Sequence, residues 1–291
     1  MCKKNETYCL TLAYLHRRKS LKWPLLLHSC AWNPILAYMK KIRAGLLGFG
    51  KTGSLVAREL LNDARFNLSW VIRRSGHEKG KFASKLLDFN YDSARVYAAS
   101  QISDSFHDDH PVDVIIDFSG PSGVSLYRKP VQNGVKIVSA ISKYEPAQIS
   151  QIREYANHTA IVHSPNITVG ANFLIVASRL LQKIAPHADV EIVESHFKDK
   201  PEVSGTALKM ADALGVEGER VHSLRAGGIV GKHEVVFGLP NQTIRLIHES
   251  IHRSAFGQGA IFAALWLQDK SRGLFSMENI FANILGGQSF Y

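Results

Sequence analysis

Residues Ile42–Gly53 read I-R-A-G-L-L-G-F-G-K-T-G. A short apolar run ends in glycines, and Val56 and Leu60 then recur at helical spacing within the stretch from Thr52 to Asn62. The pattern predicts strand, turn and helix. The turn, Gly48-Phe49-Gly50-Lys51-Thr52-Gly53, has the spacing G-x-G-x-x-G. Gly48 permits a tight turn, Gly50 lets the backbone approach a pyrophosphate, and Gly53 lets the helix pack close to the strand. Its place after a strand and at the mouth of a helix separates a dinucleotide site from a plain glycine turn, so all six residues are candidates for cofactor binding.

The next strand is predicted at Asn67 to Ile72 and runs into Arg73 and Arg74. Folds of this kind place an acid at that offset to hold the ribose hydroxyls of NAD. Two guanidiniums suit a 2′-phosphate instead, so NADPH is the expected cofactor and NADH the alternative. Strands follow near Val96 and at Val112 to Phe118, Lys136 to Ser139 and Thr159 to His163, with helical runs ending at Asn133 and spanning Glu145 to Asn157. The run V-D-V-I-I-D-F suits a strand buried on both faces, and Phe118 and Ser119 fall at its carboxyl end, where ligands bind in open α/β sheets. The alternation predicts an α/β fold with a Rossmann-type, doubly wound parallel sheet.

From Ser164 the character changes. A long apolar helix is predicted at Phe173 to Ile184, then a strand at Ala188 to Phe197, a helix at Thr206 to Leu214, and strands at Val221 to Arg225, His233 to Leu239 and Gln242 to Glu249. Clustered strands between helices predict an α+β second domain with a mixed or antiparallel sheet. Ala255 to Leu267 reads as a helix, Gly273 as a stop, and Met277 to Leu285 as a short helix returning to the first domain. Within this half, Glu191 to Ala207 reads E-I-V-E-S-H-F-K-D-K-P-E-V-S-G-T-A. His196 and Lys200 offer protons or positive charge, and Ser204, Gly205 and Thr206 open a helix whose N-terminus favours a carboxylate. Glu194 shares a strand face with His196, where it can orient the ring or make a separate salt bridge. His222, His233, His248 and His252 take the default of surface or packed structural roles.

The chain of 291 residues, 45% hydrophobic, is long enough for two ordinary domains. Half of its net charge of +10 sits before residue 39, where six basic residues stand against the single Glu6. The remainder suits an enzyme that binds anions, and no basic recognition helix marks a nucleic-acid binder. Cys2, Cys9 and Cys30 also fall in that segment, so no thiolate metal site is expected in the body and no metal at all. Its apolar runs are too short to span a bilayer, and basic residues break any signal-peptide core. An acid-poor organellar presequence and an upstream extension of a chain starting at Met39 both fit. The second is adopted because Met39 falls just before the first strand, which gives no membrane association and a cytoplasmic location.

G-F-G-K-T-G, S-P-N-I-T-V-G-A-N, E-S-H-F-K-D-K-P-E-V-S-G-T-A, R-A-G-G-I-V-G-K-H and F-G-Q-G-A-I-F-A-A-L-W-L, in that order over about residues 40 to 285, resemble the dihydrodipicolinate reductase family. The resemblance implies NAD(P)H-dependent reduction of dihydrodipicolinate, a small dicarboxylate cyclic imine, in the lysine and diaminopimelate pathway by a homotetramer. It implies that His196 is the general acid and Lys200 the residue that polarises substrate, that Ser204, Gly205 and Thr206 hold a carboxylate, and that Arg253 faces the same site. An imidazole is suited to supplying the proton that hydride addition to an imine demands.

Three departures stand out. Phe197 replaces a second histidine, Pro201-Glu202-Val203 shortens the span to the Ser-Gly-Thr turn, and Ser139-Ala140-Ile141-Ser142 replaces a Gly-Thr-Thr-Gly under the nicotinamide. Ser139 and Ser142 thereby join the cofactor candidates. The departures leave open a reductase of another cyclic imine or imino acid, or a catalytically silent dinucleotide-binding sensor. The expected division is an extension at 1–38, a dinucleotide-binding domain at 39–168, a substrate and oligomerisation domain at 169–267, and a returning helix at 268–291.

Overall fold

The computed structural model describes residues 40–286. The expectations for residues 1–38, and for Met39 as a start, lie outside the described residues. In chain order the elements are β1 (Ile42–Leu47), α1 (Gly53–Asn62), β2 (Phe66–Arg73), α2 (Ala83–Leu86), β3 (Arg95–Ala98), α3 (Asp104–Asp109), β4 (Val114–Asp117), α4 (Arg128–Gln132), β5 (Lys136–Ser139), α5 (Pro146–Tyr155) and β6 (Ala160–His163). There follow α6 (Val169–Ile184), β7 (Asp189–His196), α7 (Gly205–Leu214), β8 (Val221–Arg225), β9 (Gly231–Leu239), β10 (Gln242–Ser250), α8 (Ala255–Leu267), β11 (Gly273–Phe275) and α9 (Met277–Ile284). The one-turn helix α2 and the six-residue α3 were not foreseen, since helices this short show no sustained period.

Seven strands form a parallel sheet in the order β11-β6-β5-β4-β1-β2-β3. Strand periodicity sends alternate residues to opposite faces. Val114 and Ile116 therefore join Val56 and Leu60 of α1, while Ile115 joins Trp70, Tyr127 and Ile152 on the other side. Both faces are covered, which is why the strands read as nearly continuous apolar runs. Each fully buried Ile or Leu contributes about 1.5–3 kcal/mol, so a one-residue slip that reversed the faces would forfeit many such contributions.

The second sheet has the order β10-β9-β7-β8, with β7 and β8 parallel and the other pairs antiparallel. It is mixed. Ile192, Val235 and Phe237 pack with Leu174 and Ile175 of α6 and with Met210 and Leu214 of α7, so the helices cover one face. On the opposite face Leu224 is 50% exposed and Ile247 is 53% exposed.

Beyond shifts of one or two residues at element ends, three features differ from the sequence reading. α6 starts at Val169 rather than Phe173, because Asn172 is buried in its first turn and donates to the carbonyls of Asn166 and Thr168 at 2.8 Å each. Gly273 opens β11 instead of ending structure: its N–H reaches the carbonyls of Ala156 and Thr159, and the three-residue strand is too short to signal itself. Helix α8, which chain order groups with the second sheet, packs Ala260, Ala263, Ala264 and Leu267 into the core shared with α1. Among the described residues no helix is long and apolar enough to cross a membrane.

Candidate active site

The glycine turn lies where the strand order reverses, between β1 and β4. Gly48 has φ +94°, and a Cβ there would meet the Phe118 carbonyl at 2.6 Å and the Ser119 nitrogen at 2.7 Å. Gly53 is equally constrained, since its Cβ would stand 2.1 Å from the Gly48 carbonyl oxygen. By contrast, a Cβ on Gly50 would meet nothing within 4 Å. Two glycines close the turn and the middle one leaves a free approach. The ten-residue α1 has no side-chain cap and no acid in its first turn, so its positive end is available to an anion. These features fit a dinucleotide. At the far end Arg73 is ion-paired with Glu78, while Arg74 is exposed; Phe49, Gly50, Lys51 and Arg73 line one groove.

The neighbouring loops are held from beneath. Asp117 is fully buried at the end of β4 and accepts the Ser119 backbone N–H at 2.7 Å, the Ser119 hydroxyl at 2.6 Å and the Tyr127 hydroxyl at 2.5 Å. Burial pushes its carboxyl up, and the Ser119 and Tyr127 bonds oppose that. Tyr144 bridges the hydroxyls of Tyr127, at 3.2 Å, and Ser139, at 2.8 Å. Its phenol is pushed up to about 12, first by burial and then by Asp117. Ser139 is thus buried with its hydroxyl engaged by Tyr144, whereas Ser142 is exposed. The structure brings Phe118 and Ser119 against Gly48 and leaves Ser139 inside the sheet.

The substrate end grows from the helix-covered face of the second sheet. Register aligns Ser223, Glu194, His233 and His248 in one row across β8, β7, β9 and β10, and pairs His196 with Arg225. Glu194 is fully buried and receives hydrogen bonds from Arg225 Nη1 at 2.9 Å and Nη2 at 2.6 Å, Ser223 Oγ at 2.6 Å, the Ser204 N–H at 3.2 Å and His196 Nδ1 at 2.5 Å. Burial alone would push this carboxyl up; the bonds from Arg225, Ser223, His196 and Ser204 outweigh it and hold it down at about 2. An ionised Glu194 keeps the proton on His196 Nδ1 and turns Nε2 away from it. Gly231 keeps that side clear, since a Cβ there would stand 3.1 Å from Nε2.

Arg225 also donates to the carbonyls of Lys200, at 3.0 Å, and Glu202, at 2.9 Å. It therefore clamps the short span Pro201-Glu202-Val203 that leads to α7. Ser204 is the N-cap of this ten-residue helix but its side chain makes no capping bond; its hydroxyl pairs with His233 Nε2 at 2.8 Å. Gly205 is exposed, and Thr206 Oγ1 accepts from Asn166 Nδ2 at 2.7 Å. A cavity of about 460 Å³ gathers His196, Lys200, Ser204, Thr206 and Arg253 with His233, His248, Phe197 and Thr52 of the glycine turn. Among the described residues neither Lys200 nor Arg253 has an ion-pair partner, so both charges face the cavity uncompensated.

The side chains that sequence reading missed are Arg225, Ser223, and His233 as a cavity residue. Their signal is strand parity: residues 194 and 196, 223 and 225, and 231 and 233 share one face only once the register is known.

A switch-point glycine turn that shares a cavity with an imidazole and two cationic side chains fits an oxidoreductase that uses a pyridine nucleotide. Sequence profiles described as dihydrodipicolinate reductase N-terminus and C-terminus match residues 42–167 and 167–281. The 4-hydroxy-tetrahydrodipicolinate reductase of Methylococcus capsulatus is 30% identical over 271 residues, covering 82% of this chain and 97% of the relative. That of Rickettsia bellii is 33% identical over 192 residues, or 60% and 77% of the two chains. A dipicolinate-bound dihydrodipicolinate reductase from Paenisporosarcina sp. TG-14 superposes with a TM-score of 0.69 at 24% identity, covering 83% of this chain and all of the other. An amine dehydrogenase from Mycobacterium smegmatis gives 0.58 at 13%, covering 82% and 96%. At these identities the two structures speak to the fold. The chain belongs to the 4-hydroxy-tetrahydrodipicolinate reductase family.

Proposed function

We propose that the chain reduces dihydrodipicolinate to tetrahydrodipicolinate in lysine and diaminopimelate biosynthesis, as a cytoplasmic homotetramer with NADPH as the donor and NADH as the alternative. One observation carries this reading: a Glu194-oriented His196 shares a cavity with two unpaired cations, the start of α7 and Thr52 of the glycine turn. Residues 39–168 then serve the cofactor, 169–267 the substrate and the assembly surface, and the described part of 268–291 returns to the first sheet through β11. The half-exposed Leu224 and Ile247, on the sheet face that lies opposite the packed helices among the described residues, support burial against a second copy.

In this mechanism Ser204, Gly205 and Thr206 receive one ring carboxylate at the start of α7, and Lys200 and Arg253 face the other. Lys200 also polarises the ring imine. Gly48, Gly50 and Gly53 would shape the bed for the pyrophosphate, with Phe49, Lys51 and Thr52 around it and Arg73 and Arg74 available to the ribose. Phe118, Ser119 and residues 140–142 would border the nicotinamide, which when bound supplies the hydride, while Ser139 stays beneath them, held by Tyr144. His196 Nε2 gives its proton to the ring atom that gains electron density, while Glu194 holds the resulting neutral tautomer in place.

Phe197 in the cavity wall favours a second reading, reduction of another cyclic imino acid. The test generates dihydrodipicolinate in place from pyruvate and aspartate semialdehyde with the enzyme that condenses them, and follows loss of reduced nicotinamide absorbance. Rapid, substrate-dependent oxidation is expected. No oxidation by a protein that still binds NADPH would overturn the reading in favour of another imine or a silent sensor.

A further inference from the structure

We propose that His233 and Asn166 are positioning residues that turn the hydroxyls of Ser204 and Thr206 outward, as paired hydrogen-bond donors to a carboxylate of the substrate. This rests on the reading that α7 receives a carboxylate. Ser204 occupies an N-cap yet makes no capping bond, so its oxygen is free for another task.

That oxygen lies 2.8 Å from His233 Nε2, and the other ring nitrogen, Nδ1, is buried without a partner. His233 is only 5% exposed. A buried N–H with no acceptor is rarer and costlier than a buried lone pair with no donor. The proton of a neutral ring therefore sits on Nε2 and points at Ser204 Oγ. Burial, reinforced by His196 and His248, holds this imidazole down at about 4 and so keeps it neutral. Since Ser204 Oγ accepts from His233, its own proton is left to donate.

Thr206 is arranged in the same way by a different side chain. The Asn166 oxygen accepts from the Thr168 N–H at 3.0 Å and the Thr168 hydroxyl at 2.8 Å, which fixes the amide orientation. Its nitrogen must then donate to Thr206 Oγ1, at 2.7 Å, and the threonine proton is also left over. Two hydroxyls two residues apart each accept from behind and line the same cavity. A carboxylate has the acceptor sites to receive both.

The test measures inhibition by pyridine-2,6-dicarboxylate, with NADPH saturating, alongside kcat and KM in the coupled assay. Ser204→Ala and His233→Leu should each weaken the inhibitor and raise KM by about tenfold, with a smaller change in kcat. The double variant should be no worse than the poorer single, because both remove one bond. His233→Gln, whose amide can donate from a similar point, should restore most of the affinity. Asn166→Leu and Thr206→Val should show the same coupling. Multiplying effects, or a His233→Gln variant as impaired as His233→Leu, would overturn the proposal while leaving the substrate reading intact. If His233→Leu fails to fold, His233→Gln alone decides. A wild-type chain that neither binds the dicarboxylate nor turns over would overturn both.

Discussion

The two ends of the cleft are built from different materials. At Gly48–Gly53 the site is backbone: three glycines close or open space, and the uncapped start of α1 supplies the field. At His196 the site is side chains held by other side chains, with Arg225, Ser223, His196 and Ser204 converging on one buried carboxylate. A backbone site tolerates many flanking residues but no added Cβ at its closed glycines. A side-chain site tolerates backbone variation, such as the short Pro201–Val203 span, provided that the central hub stays intact.

If this contrast holds, variants at the substrate end should separate chemistry from cofactor binding. His196→Ala should lower turnover by about 10²–10⁴-fold, the range for a lost general acid. Next in size, Glu194→Ala would leave Arg225 and the His196 N–H without their buried partner. It should cost about 3–5 kcal/mol of stability, read as a fall in denaturation midpoint, together with turnover. A Glu194→Ala chain of undiminished stability would contradict the hub.

Acid should dissolve the substrate end in two steps. His233 is held at about 4 in the fold but titrates near 6.5 when unfolded, so below pH 6.5 the unfolded chain takes up a proton that the folded chain refuses. Its contribution is full above pH 6.5 and lost as pH falls through about 4, at most about 3 kcal/mol. The Glu194 contribution persists to lower pH, intact above about 4.5 and lost toward 2. Melting temperatures between pH 7 and 4 should therefore decline less in His233→Gln than in the wild-type chain, and identical slopes would count against the buried neutral ring.

The smallest expected effect lies at the cofactor end, where a side chain does intervene. Arg73→Ala should weaken NADPH more than NADH, while Glu78→Gln, by releasing Arg73 from its ion pair, should strengthen NADPH by up to about 1 kcal/mol. An unchanged preference in both variants would remove Arg73 from the cofactor site.

The same contrast explains what could be read from the chain alone. The glycine turn is local, since its spacing and its place after β1 are visible within twelve residues. The alternation of strand and helix was legible for a similar reason: burial on both faces leaves long apolar runs. His196, Lys200 and the Ser204–Thr206 turn were legible because they happen to lie close in sequence. Their supports were not. Ser223 and Arg225 come from β8 and His233 from β9, and only register brings them to Glu194 and Ser204. The burial of Ser139 behind Tyr144 was likewise invisible, because it depends on Asp117 and Tyr127 from another strand and loop.

The most direct test of the contrast is the NADPH dissociation constant of Gly53→Ala and His196→Ala, measured side by side with the wild-type chain. A Cβ at residue 53 would stand 2.1 Å from the Gly48 carbonyl, so Gly53→Ala should weaken NADPH by at least about tenfold while His196→Ala binds it as the wild type does. Equal weakening in both would mean that the two ends are one structure, and would contradict the account.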